Sequence, residues 1–132
     1  MINRADATFQ PGSWDESSFS EIEGGPKLTR ALVAGTYSGD IAGPTTILFI
    51  MYYPDSASAR FSGLERVAGR IGERVGSFVL RHEGTFSDGE ARTILTIVPG
   101  SGTGELRGLR GEGLSVAPVG ATATIHLDYD LA

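Results

Sequence analysis

Two ionisable side chains interrupt apolar, alternating stretches of this 132-residue chain: Glu65 within Phe61–Val67 and His82 within Phe78–Phe86. A carboxyl and an imidazole held together in an apolar setting acquire the perturbed proton affinities that a general acid–base site needs. The competing reading is a buried polar pair that satisfies itself by hydrogen bonds and serves only to close the fold. Other chemistry has less support. The chain has no cysteine, so thiolate catalysis, disulfides and cysteine-ligated zinc are excluded. His82 and His126 fall on opposite faces of their strands, so no histidine cluster converges and no metal is expected. No nucleophile-elbow sequence marks a Ser-His-Asp triad. The glycine-rich run from Gly100 to Gly113 fits neither the dinucleotide fingerprint nor the P-loop, and no cofactor is expected. It reads as a tight corner with one helical turn at Gly104–Gly108.

These residues can meet only if the strands that carry them pair in the right register. No long window shows a 3.6-residue apolar period, whereas period-two alternation is widespread. Asp88-Gly89, between Ser77–Ser87 and Glu90–Val98, is a type I′ hairpin signal. Gly72-Glu73, between Arg60–Ile71 and Arg74–Phe86, has the leading glycine of a type II′ turn. A two-residue loop there pairs Val67 with Phe78, Glu65 with Leu80 and Gly63 with His82. Glu65 and His82 then become diagonal neighbours on one face, ~7 Å apart at the backbone. Extension through Asp88-Gly89 pairs His82 with Leu95 and Leu80 with Ile97. Both turns assign the same apolar face: Phe61, Phe78, Leu80, Leu95 and Ile97 inside, Arg66, Arg81 and Glu83 outside.

Gly39-Asp40 separates strands Leu28–Ser38 and Ile41–Tyr53. Weaker strands near Ala5–Gln10 and Ser17–Ile22 precede them, and Thr122–Leu131 closes the chain with Ile125, Leu127 and Tyr129 on the apolar side. The inward parity of Tyr37, Tyr52 and Tyr53 depends on the loop after Pro54. A four-residue Pro54–Ala57 loop would turn Ile50 and Tyr52 inward and leave Phe49, Met51 and Tyr53 as an external apolar stripe. Such a stripe marks a partner surface, so a homodimer or higher homo-oligomer is expected. Trp14 reads as a plug or rim aromatic. About eight or nine antiparallel strands in a meander expose two edges and two faces, and closure into a barrel removes both liabilities.

Composition agrees. The residues are 40% hydrophobic and 20% charged, with 19 glycines suited to many turns, so one globular domain spanning residues 1–132 is expected. A net charge of −5 argues against a nucleic-acid partner. The longest aliphatic and aromatic run, Ile47 to Tyr53, is too short to span a membrane as a helix. The start of the chain has no apolar leader, so a cytoplasmic location is the expectation.

Four stretches, Gly24–Arg30, Phe61–Val67, Gly76–Phe86 and Pro99–Leu106, resemble a bacterial domain-of-unknown-function family with the allene-oxide-cyclase-like, or dirigent-like, barrel fold. The resemblance runs from about Thr8 to Leu131. The segment Gly102–Gly111 also resembles a glycine-rich turn of the wider superfamily, which includes plant allene oxide cyclases, dirigent proteins and bacterial polyketide cyclases. The resemblance implies an all-β, closed, up-and-down antiparallel barrel with an apolar lumen. It carries over no catalytic residue.

The resulting expectation is a barrel that binds a small hydrophobic molecule and acts on it as a cofactor-independent isomerase or cyclase. Glu65 and His82 would move the proton, and Phe61, Phe78, Leu80, Leu95 and Tyr129 would contact the ligand. The alternatives are a non-catalytic carrier with the same lumen, or a structural subunit whose lumen is packed solid.

Overall fold

In a computed structural model, which describes residues 2–118 and 122–131, eight strands close into one antiparallel barrel in sequence order. They are β1 (Asn3–Glu21), β2 (Lys27–Gly39), β3 (Ile41–Tyr53), β4 (Ala59–Ile71), β5 (Arg74–Ser87), β6 (Glu90–Ile97), β7 (Leu109–Pro118) and β8 (Ala123–Leu131). Closure comes from β1 and β8, which pair from Asn3 with Tyr129 to Phe9 with Ala123. Among the described residues no helix is long and apolar enough to cross a membrane.

The two hairpins set the register as their turn chemistry dictates. Val67 pairs with Phe78, Glu65 with Leu80 and Gly63 with His82; His82 pairs with Leu95 and Leu80 with Ile97. At the β5–β6 turn both Asp88 (φ 54°) and Gly89 (φ 75°) are left-handed, as a type I′ turn requires. Phe61, Phe78, Leu80, Leu95 and Ile97 are all buried in the lumen.

Three elements differ from the sequence expectation. The two weak N-terminal strands are one long strand, β1, bent by irregularities between Pro11 and Ser13 and between Ser18 and Ser20. Past Phe9 it leaves β8 and runs along β2 alone. The glycine-rich corner keeps its helical turn, a 3-10 turn at Gly104–Leu106, but then continues as β7, a strand the glycines concealed. The corner docks against β5 where Gly76 sits: a β-carbon there would collide with the Thr103 carbonyl oxygen. Leu106 is thereby driven fully into the core.

The third difference reverses a parity. The β3–β4 connection holds residues 54–58, five rather than four, because Asp55 Oδ1 accepts hydrogen bonds from the Ala57 amide (2.8 Å) and the Ser58 hydroxyl (3.0 Å). This side-chain-built turn consumes one more residue. Met51 therefore pairs with Phe61 and Tyr52 with Arg60. Phe49 and Met51 are buried, and Ile50 and Tyr52 face solvent, the reverse of the four-residue expectation. The external apolar stripe is consequently a different one: Leu32, Leu48 and Leu64 lie in register across β2, β3 and β4, all exposed.

The lumen divides into two clusters. One, at the end closed by the Gly104–Leu106 corner, packs Ile41, Ile71, Phe78, Leu80, Leu95, Leu109 and Leu127. The other holds Val33, Ile47, Phe49, Met51 and Phe61 toward the opposite end. Glu65 and His82 lie where the two meet.

Candidate functional site

Glu65 sits mid-strand on β4, between Ile47 of β3 and Leu80 of β5, and is fully buried. An isolated charge there would be costly. Three side chains converge on it instead. The Tyr37 hydroxyl donates to the carboxylate at 2.8 Å from Oε2 and 3.0 Å from Oε1. Thr45 Oγ1 lies 2.6 Å from Oε2, and 2.9 Å from the Arg66 carbonyl oxygen. His82 Nε2 lies 2.7 Å from Oε1. No arginine reaches Glu65 among the described residues, so its partners are the imidazole and the two hydroxyls.

This network fixes the chemistry of the histidine. An ionised Glu65 accepts only, so Nε2 carries a proton in this contact, and in the neutral tautomer that the contact selects Nδ1 is the ring's free acceptor. Nδ1 has no partner among the described residues, and no buried side-chain nitrogen or oxygen there lacks one. It therefore retains open space, and the space beside His82 is the lumen cavity. Tyr37 is locked as a donor: burial, then the charge of Glu65 and the hydrogen bond to it, push the phenol well above its usual range. The arrangement is a base oriented by a buried carboxylate, held in turn by two hydroxyls.

The cavity measures about 350 Å³, within the range of small-molecule sites. Its floor is His82 and Tyr37. One side is aromatic: Phe49 meets the His82 ring edge-on at 5.3 Å and Phe61 at 5.4 Å, and Trp14 stacks on Phe49 at 6.0 Å. The other side is built from small residues of β6, β7 and β8, among them Ala91, Ala117 and Ala123.

A second carboxylate organises the rim. Glu16, on the part of β1 that runs beyond β8, accepts from Thr29 Oγ1 and the Tyr53 hydroxyl, each at 2.6 Å, and from Trp14 Nε1 at 2.9 Å. Partial burial alone would raise the Glu16 carboxyl, but these three hydrogen bonds, aided by the Lys27 charge, hold it below its usual range. Burial and then Glu16 push the Tyr53 phenol up to about 12. Trp14 is thus a rim aromatic, held in place by Glu16.

Of the residues singled out from sequence, Glu65 and His82 are brought into direct contact. Glu65 stands behind the histidine and is not itself part of the cavity wall. Phe61 lines the cavity. Phe78, Leu80, Leu95 and Tyr129 point into the same lumen but belong to the packed cluster on the other side of the floor. His126 lies on the outer face of β8. Sequence reasoning missed Tyr37, Thr45, Phe49 and Met51, whose parity was hostage to the residue 54–58 turn, and Ser115, which carries no signal until β7 is recognised; Thr93 shares the inward face of β6 with Leu95, readable from the Asp88-Gly89 turn, but was not singled out. Among the described residues no three carboxylates or imidazoles gather to hold a metal ion.

Closed strand order, a floor that seals one half and a histidine–carboxylate pair facing the open half define a small up-and-down lumen barrel. The chain belongs to the DUF3224 family, whose model, described as a protein of unknown function, matches residues 5–129. A crystal structure of a protein with unknown function from that family, from Shewanella oneidensis MR-1 at 1.84 Å resolution, is similar with a TM-score of 0.81. The two chains are 25% identical, and the match covers 100% of this chain and 98% of that one. No curated protein matches the chain.

Proposed function

We propose that the open half of the barrel binds a mostly apolar small molecule and that His82 moves a proton on it, making the protein a cofactor-independent isomerase or cyclase. The observation that carries this reading is the 2.7 Å contact between His82 and a fully buried Glu65 at the floor of a cavity of about 350 Å³. A barrel needing only to be filled would place a leucine at position 65 and avoid the desolvation. Walls that shape a flexible substrate, with water excluded and one oriented base, are sufficient for proton transfer next to a carbonyl.

The test uses two probes. N-phenyl-1-naphthylamine, a neutral fluorophore, reports occupancy of the lumen, and 2-tetralone in D₂O reports proton transfer through exchange of its α-protons by NMR. Saturable fluorescence together with exchange that disappears in His82→Gln is the expected result. Fluorescence without catalysed exchange would leave a carrier. Neither signal would leave a structural subunit and overturn the proposal.

A further inference from the structure

The polar atoms that face the cavity divide sharply into occupied and unoccupied. The Tyr37 hydroxyl is held by Glu65, and Trp14 Nε1 and the Tyr53 hydroxyl are held by Glu16. His82 Nδ1 and the hydroxyls of Thr93 and Ser115 have no partner among the described residues, though all three residues line the cavity. Thr93 is only 7% exposed, and no buried side-chain oxygen in the described residues is left without a partner, so its hydroxyl also meets the cavity space.

These three groups form a stripe. Thr93 of β6 is directly opposite Ser115 of β7, a spacing of ~5 Å between β-carbons. His82 of β5 pairs with Leu95, which places Thr93 on its diagonal, ~7 Å away. Across the cavity stand Phe9, Phe49 and Phe61, which stack well on flat rings. No lysine or arginine lines the cavity. The one group able to carry positive charge, His82, already faces the Glu65 carboxylate. A permanently anionic ligand would bring a second uncompensated negative charge into the lumen.

We infer that the ligand is a flat, uncharged ring compound with a weakly acidic hydroxyl and a carbonyl set apart at its two ends, the hydroxyl seated on His82 Nδ1 and the carbonyl on Thr93 and Ser115. The inference rests on the lumen-binding reading above and adds the chemical class. In the bound state the hydroxyl proton passes to Nδ1. The ligand becomes an oxyanion, the ring an imidazolium, and Glu65 balances the imidazolium; no redox partner is involved.

Four probes on one carbon skeleton test it: naphthalene, 2-acetylnaphthalene, 6-acetyl-2-naphthol and 2-naphthoate. Naphthalene should bind weakly, and 6-acetyl-2-naphthol should bind ~10–100-fold more tightly, one to two well-placed hydrogen bonds' worth, and show the red-shifted naphtholate absorption at neutral pH. 2-Acetylnaphthalene should fall between, and 2-naphthoate should not compete. Thr93→Val and Ser115→Ala should each lower the preference for the naphthol over naphthalene by ~3–10-fold, with circular dichroism and thermal melting of each variant reporting that it folds. His82→Gln should abolish the naphtholate band. Equal binding of naphthalene and the naphthol, or preferential binding of 2-naphthoate, overturns the ligand class while the lumen-binding reading stands. Failure of all four to bind removes both.

Discussion

The two halves of this barrel obey the same alternation and do opposite things. In the packed half the inward positions of β5 to β8 are Phe78, Leu80, Leu95, Ile97, Leu109 and Leu127, all essentially inaccessible. In the open half the same strands present mostly small residues, Gly84, Ala91, Thr93, Ser115, Ala117 and Ala123, with Phe86 at the end of β5 and His82 at the floor. Large aromatics from β1 to β4 face this small wall and cannot fill the space across it, so a cavity remains. The void is written as residue size, not as a change of pattern. Interiors ordinarily close-pack, so half a lumen left open beside half packed tight separates a region that holds the fold from one free to hold something else.

That contrast can be broken most directly by truncating matched phenylalanines. Phe78→Ala, in the packed half, should cost ~3–5 kcal/mol in urea denaturation, whereas Phe61→Ala, already bordering empty space, should cost ~1–2 kcal/mol. Equal losses would erase the distinction between halves.

The floor comes next. Glu65→Leu strands the Tyr37 and His82 donors, while Thr45 keeps the Arg66 carbonyl oxygen, and should cost ~2–4 kcal/mol. The triple change Tyr37→Phe, Glu65→Leu and His82→Leu removes the stranded groups with the charge and should recover most of that loss, since apolar replacement of a buried polar cluster is often neutral. If the triple variant stays as unstable as Glu65→Leu, the network is there for stability and its chemical role weakens.

A smaller effect on stability, but a complete one on binding, is expected from filling the void. Ala117→Leu should change stability by no more than ~1 kcal/mol in either direction, while saturable N-phenyl-1-naphthylamine fluorescence disappears. Retained fluorescence would mean that the probe sits elsewhere, on the exposed Leu32–Leu48–Leu64 stripe for instance.

The smallest effect belongs to the rim. Tyr53 keeps its proton to about 12 in the fold, while an unfolded tyrosine releases it near ~10. Its contribution is therefore intact below the unfolded value and fades as pH rises through about 12. Glu16 behaves oppositely: its folded value lies below the usual 4.5, so its contribution holds above that pH and is lost as pH falls through the lowered value. Both groups are partly solvated, so the slopes should be shallow. Ultraviolet titration should show one tyrosine ionising earlier in Glu16→Gln; an unchanged titration would remove Glu16 as the cause.

The sequence reveals strand identity and facing wherever a two-residue turn fixes the register, which is why the β4–β5–β6 sheet and the approach of Glu65 to His82 are readable from it. It conceals what depends on loop length. Asp55, by bonding Ala57 and Ser58, adds one residue to the β3–β4 turn and flips Phe49, Met51 and Tyr53 from outside to inside. Glycines hide β7, because a strand whose inward side includes Gly111 and Gly113 shows no alternating apolar signal. The division of the lumen follows from these two points: without β3 parity and β7, neither wall of the cavity can be drawn.

The alanine wall has an evolutionary consequence. Positions 91, 117 and 123 touch the void without supporting the packed half, so exchanging their side chains re-cuts the cavity without disturbing the residues on which folding depends. On the proposed function, a lineage carrying this barrel would drift from one guest molecule to another by single substitutions, keeping the histidine–carboxylate floor while the shape above it changes.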